Sequence, residues 1–207
     1  KENRSPSIKA ALSAYIDVIK NRRAIGFIGS MSMTFAGMFV YITASPFIYM
    51  EYFDVSPQAY AYLFGLNIFA IMLVAIFNAR FVKIIGPHKM IIIGTSVVLL
   101  SAIVMLILNN IGKGISLIGL IVGLFFFVGM TGQLSANCIA MTMGLFTKEK
   151  AGAAAGLAVS IQFAFGGLLS LLVSQSLSIE PAPMLTLLLI AGALAFVCML
   201  LTLPIRK

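Results

Sequence analysis

Gln133 and Asn137 are neutral amides four positions apart, inside an apolar run that a bilayer-spanning helix would occupy. They offer hydrogen-bond donors and acceptors without charge, and Phe126, Met130, Met141 and Gly144 continue the same helical stripe at three- and four-residue spacing. Flexible sulfur and aromatic side chains beside a few hydrogen-bonding groups suit contact with amphipathic molecules of varied shape. The same amides can equally bridge two helices, so both roles stay open. A second stripe, Ser30, Thr34, Gly37, Tyr41 and Ser45, precedes Pro46, which removes a backbone donor and kinks its helix. Asn67 and Asn78 share a face through Ile71 and Val74, and Gly152, Gly156, Ser160, Phe163 and Gly167 form a small-residue run that reads as close helix packing.

Catalysis finds no equipment here. The only histidine, His88, sits in a basic turn, so it cannot serve as the base of an intramembrane serine protease. Paired intramembrane aspartates and zinc-binding histidine pairs are absent from the sequence. Cys138 and Cys198 both lie in apolar runs, where thiols behave as small hydrophobes rather than as a disulfide or metal site. The expectation is a protein that is not an enzyme and needs no cofactor or metal.

The elements that position these groups are membrane helices. The 207 residues are 61% hydrophobic and only 10% charged, against about 25% charged in soluble domains. Six apolar segments, read as 24–50, 58–77, 87–109, 115–146, 151–177 and 183–204, each suffice to cross the hydrocarbon core. They imply an all-α polytopic membrane protein with a six-helix transmembrane domain over 24–207. Residues 1–23 are polar and basic rather than a signal core. There Ser5-Pro6 starts a helix whose apolar positions Ile8, Leu12, Tyr15, Ile16 and Ile19 recur at helical spacing, an amphipathic linker lying on a membrane surface or against helix ends. Four tyrosines, Tyr49, Tyr52, Tyr60 and Tyr62, cluster around one turn as interfacial anchors.

Of the 14 Lys and Arg, all but Lys113 fall on one side of this topology, which places both termini in the cytoplasm and turns the net charge of +8 into orientation rather than nucleic-acid affinity. The acids Glu2, Asp17, Glu51, Asp54, Glu149 and Glu180 all lie outside the spans. Proton relays through membranes use intramembrane charges, and no Asp, Glu, Lys, Arg or His lies near the middle of any of these spans.

Tyr41-Ile42-x-x-Ser45-Pro46-Phe47, Tyr52-Phe53-x-Val55-Ser56-Pro57-Gln58-x-Tyr60, Leu63-Phe64-Gly65 and Asn78-Ala79-Arg80 resemble the second half of the Bcr/CflA drug-resistance transporters of the major facilitator superfamily. Ala136-Asn137, Ala151-Gly152, Gln162-Phe163 and Gly166-Gly167 extend the likeness over nearly the whole chain. The segment from Ala79 to His88 keeps the glycine and basic character of the family's inner-turn motif but lacks its acid.

The resemblance implies helices seven to twelve of a proton-coupled multidrug antiporter of the bacterial inner membrane. Its coupling carboxylate is expected in a first half not contained in this sequence. The partners implied are amphipathic drugs, protons through that first half and the lipid bilayer. By helix role the first and fourth spans line the substrate cavity, the second and fifth gate it and the third and sixth face lipid, with an internal three-plus-three inverted repeat. Thr34, Tyr41, Ser45, Phe126, Met130, Gln133 and Asn137 are the expected cavity wall, and Pro46 the shaper of the outer gate. Two rivals remain: a non-transporting membrane module that acts as a dimer or with a partner, and an exporter of a metabolite on the same fold.

Overall fold

The computed structural model describes residues 8–111, 114–176 and 179–204, with side chains from Leu12 onward. The Ser5-Pro6 helix start, the Ile8 side chain, Lys113 and Arg206-Lys207 lie outside the described residues. Each helix begins or ends on a residue suited to the task. Asn21 caps α2 (Arg22–Phe47), its Oδ1 accepting from the backbone N–H of Arg23 at 3.0 Å and of Ala24 at 3.1 Å. Pro46 lies inside α2, and the chain then winds into a π-helical turn, Ile48–Tyr52. Ser56 and Pro57 open α3 (Pro57–Ile85) as N-cap and first helical residue. Gly86 alone separates α3 from α4 (Pro87–Asn110), at a φ of 88° that an L side chain rarely adopts. Ser116 caps α5 (Leu117–Met143), and α6 (Lys148–Ser174) and α7 (Pro181–Leu200) complete the bundle. In the first turn of α6 a hydrogen bond from Thr147 holds the Glu149 carboxyl below its usual range.

Six of these helices are long and apolar enough to cross a membrane. The second continues well past Phe77 to Ile85. Asn78 and Arg80 read as a border in the sequence, yet a helix tolerates polar residues and stops where Gly86 breaks the backbone conformation.

The helices pack by a simple exchange rule. α2 packs on α6 and α7, α5 packs on α3 and α4, and the pairs α2/α5 and α4/α7 close the bundle. Exchanging α2 with α5, α3 with α6 and α4 with α7 maps this set of pairings onto itself. Short connections make successive helices antiparallel, so the exchange relates three helices to three of opposite direction, which is the inverted repeat.

Burial follows connectivity rather than aliphatic content. α2 is the most buried span, while α3 buries only Asn67 and Ala70. α4 and α7, the spans expected to face lipid, each bury one stripe against the bundle, Met90 to Met105 on α4 and Pro181 to Met199 on α7. Their exposed positions, such as Leu100 and Val197, occupy the other side. The helix α1 (Ile8–Lys20) turns Ala14 and Val18 inward and leaves Leu12, Ile16 and Ile19 exposed. Asp17 pairs with Lys150 at the start of α6, a half-exposed ion pair of the kind worth little to stability.

Candidate functional site

The candidate polar residues converge on α3 from two directions. Tyr41 of α2 accepts a hydrogen bond from Asn67 Nδ2 at 3.0 Å, and its ring stacks on Phe64 with centroids 6.1 Å apart. One turn along α2, Ser45 Oγ lies 3.1 Å from the Tyr60 hydroxyl. Nearer the other end, Asn137 of α5 donates from Nδ2 to Asn78 Oδ1 at 2.8 Å and to Gln133 Oε1 at 3.2 Å. Gln133 in turn donates to the Met90 carbonyl of α4 at 3.1 Å. Three side-chain hydrogen bonds therefore fasten the least buried span to its neighbours, and a fourth joins α5 to α4. Amides and hydroxyls suit this, since an unmet polar group inside the bundle is costly, and of the network's amide atoms Asn67 Oδ1 is the one left buried without a partner.

These contacts move the expected wall inward. Thr34, Tyr41, Ser45, Gln133 and Asn137 are each no more than 4% exposed. Inside this chain they sit within the helix packing rather than on a surface. Thr34 returns its hydroxyl to the Ser30 carbonyl at 2.9 Å. Met130 is half-buried, with its sulfur 3.7 Å from Gln133 Nε2. Phe126 is 48% exposed and lies apart from the others, in an apolar groove of about 380 Å³ between α4 and α5 with Leu100, Val104 and Val122. Pro46 is half-buried beside the π-helical turn. A four-residue spacing identifies a common stripe but not whether a ligand or a neighbouring helix faces it.

Two other stretches pack differently from their sequence reading within this chain. Within this chain only Phe163 of the α6 small-residue run meets another helix, against Phe35 and Phe39 of α2: alanine side chains at Gly152, Gly156 and Gly167 would meet open space, and Ser160 is exposed. The buried stripe lies beside it, at Ala154, Ala158, Gln162, Gly166, Leu169 and Val173. Of the four clustered tyrosines, Tyr62 is 81% exposed and Tyr52 38%, but Tyr49 is 1% exposed and Tyr60 turns inward to Ser45. Tyr60 is thus a member of the polar site that stripe reading on single helices did not select, and Asn67 and Asn78, read as one face of their helix, were not joined by it to the residues they meet. Their signal was the shared occurrence of polar residues on facing helices. His88 Nε2 lies 2.9 Å from Thr202 Oγ1 and its ring meets Phe27 edge-on, tying α4 to the ends of α7 and α2.

Removing the Tyr41 hydroxyl tests the network. Tyr41→Phe leaves Asn67 Nδ2 its second acceptor, the Leu63 carbonyl at 3.1 Å. The expected loss is at most about 1 kcal/mol of unfolding free energy, measured by denaturant titration in micelles.

The charges divide by end. Lys20, Arg22, Arg23, Arg80, Lys83, Lys89, Lys148 and Lys150 stand at the end where α2 begins and α7 finishes, with Asp17 and Glu149. At the opposite, distal end stand Glu51, Asp54 and Glu180, with no Lys or Arg among the described residues.

The family model described as Major Facilitator Superfamily matches residues 26–207. A bicyclomycin resistance protein homolog from Haemophilus influenzae is 27% identical over 186 residues, covering 89% of this chain and 46% of the relative. An uncharacterized MFS-type transporter, YdgK, from Bacillus subtilis is 24% identical over 198 residues, covering 94% of this chain and 48% of the relative. The chain spans about half the length of these relatives. No solved structure gives a significant match.

Proposed function

Since the chain belongs to the Major Facilitator Superfamily, we propose that it forms the C-terminal six-helix half of a proton-coupled drug efflux antiporter. The family is one of transporters, and the chain is a multi-pass protein of the bacterial inner membrane. In this reading the basic end is cytoplasmic by the positive-inside rule, so the distal end is the outer one. Protons are coupled through the other half, because no Asp, Glu, Lys, Arg or His lies near the middle of any span here.

The observation that carries the reading is the uneven covering of the bundle. α3 buries two residues, and α6 leaves Gly152, Gly156 and Gly167 open, although both helices are as apolar as their neighbours. α3 and α6 exchange with one another in the inverted repeat, as helices flanking a common cavity and meeting a second half would do. Met130 then offers accessible contact to an amphipathic drug, while Phe126 lies in the separate groove between α4 and α5. Thr34, Tyr41, Ser45, Gln133 and Asn137 hold the helices behind that wall. Pro46 and the π-helical turn give the outer end of α2 a place to bend, and the hydrogen bonds on α3 latch the gate.

The test is proton-driven drug flux in proteoliposomes, with this chain alone beside a chain carrying a first half as well. Flux is expected only from the longer chain. Uphill flux from this chain alone would place coupling within it and overturn the division of labour.

A further inference from the structure

The helix α1 has three sides. At roughly 100° per residue, Ala14 and Val18 point one way, Leu12, Ile16 and Ile19 a second, and Ser13, Asp17 and Lys20 a third. The first side is buried where α1 packs on α6 and α2, and Asp17 beside it pairs with Lys150 in the first turn of α6. The second side is apolar, yet each of its three residues is more than half exposed. Tyr15, half-buried, lies between these two sides, so the apolar arc runs unbroken from the bundle to the open face. Connectivity fixes the depth. α1 ends at Lys20 and the span α2 begins at Arg22, with only Asn21 between them. Together with the contact to the start of α6, this holds α1 at the level where two spans enter the bilayer.

We propose that the Leu12–Ile16–Ile19 face seats in the boundary between headgroups and acyl chains of an anionic bilayer leaflet, with Lys20, Arg22 and Arg23 holding its phosphates. A helix surrounded by water is polar on every side that does not pack. Here only one of the two unpacked sides is polar, as suits a helix with protein, hydrocarbon and water around it in turn. The open apolar face is also continuous with the lipid-exposed surface of the bundle through the single residue Asn21. Charge selects the lipid. Lys20, Arg22 and Arg23 are exposed and unpaired among the described residues. Asp17 is held by Lys150, which leaves Glu149 as the one described acid opposing them at this end. Basic side chains at this depth attract anionic headgroups. Through the buried side of α1, the same seat ties the start of α6 to the leaflet.

The sequence holds no tryptophan, so a single introduced one reports its own surroundings. Leu12→Trp and Ser13→Trp are adjacent exposed positions pointing about 100° apart. In nanodiscs carrying this chain and lipid brominated in the upper acyl chain, Leu12→Trp should be quenched at least roughly threefold more than Ser13→Trp. Bromine carried on phosphatidylglycerol should quench Leu12→Trp about twofold more than the same amount on phosphatidylcholine in the same mixed bilayer. Adding Arg22→Gln and Arg23→Gln should remove most of that preference. Equal quenching of the two tryptophans would overturn the seat, and equal quenching by the two lipids would overturn its anionic character. Leu12→Trp emission that is unquenched in this chain, and shifts to the blue only in a chain carrying a first half, would assign the face to a protein partner and overturn the proposal. None of these readouts requires transport, so failure of the antiporter reading would leave them intact.

Discussion

Asn137→Leu is expected to lower the unfolding free energy of this chain by about 1–3 kcal/mol. The substitution keeps the side chain's heavy-atom count and branching and adds no charge, so the loss comes chiefly from hydrogen bonds. Asn137 Nδ2 serves both Asn78 Oδ1 at 2.8 Å and Gln133 Oε1 at 3.2 Å, and removing it strands two acceptors. Asn137 is 4% exposed, so water cannot take over without opening the contact between α3 and α5. Membrane hydrogen bonds are worth well under their nominal strength, about 0.6 kcal/mol on average, because the unfolded helix finds other partners. Two bonds and two stranded oxygens together reach the stated range.

The discriminating measurement is a double-mutant cycle with Asn78→Leu. The two losses should fail to add, with a coupling of about 0.5–1.5 kcal/mol. Additive losses would mean that the two amides act through other partners, and the latch on α3 would fall. In a protein of the relatives' length the same variant should change drug flux while expression holds, because a looser α3 shifts the balance between closed and open gates.

Much of this was legible in the sequence. Six spans followed from apolar length alone, because a bilayer demands about 20 such residues and leaves few alternatives. Gln133 and Asn137 stood out because amides in a span must be satisfied somewhere. Where they find satisfaction was not legible. Periodicity gives the direction of a stripe around its own helix, and the partner depends on how helices cross. Asn78 and Asn137 are 59 positions apart, and nothing local in either helix announces that they meet.

The tyrosines show the same limit at a finer scale. Tyr60 and Tyr62 differ by two positions, yet a helix turns about 200° between them. One hydroxyl reaches Ser45, and the other ring is 81% exposed. On α6, Gly152, Gly156 and Ser160 looked like a packing surface because small residues permit close approach. Ala154, Ala158 and Gly166 are nearly as small, and theirs is the stripe that packs. Residue size cannot choose between two small stripes on one helix.

That choice supports the second large effect, a pair of identical substitutions with opposite outcomes. At Gly26 an added Cβ would lie 2.7 Å from Thr202 Cγ2 and 2.8 Å from the Cys198 carbonyl oxygen, which belongs to the backbone of α7. Backbone cannot swing aside as a side chain can, so Gly26→Ala must push α2 and α7 apart, at a cost of about 1–3 kcal/mol. At Gly156 nothing lies within 4 Å of the added carbon. There Gly156→Ala should stabilise this chain by roughly 0.5–1 kcal/mol through helix propensity alone.

Thermal denaturation of the two variants in nanodiscs should therefore move in opposite directions. Equal shifts would mean that the α2–α7 crossing is looser than described. The sign at Gly156 carries a second meaning. In a protein of the relatives' length, where α6 is proposed to meet another six helices, the same alanine would enter a close contact, and the gain should turn into a loss. If Gly156→Ala stabilises the longer protein as well, that face of α6 looks onto lipid, and the meeting of the halves must run along α3 instead.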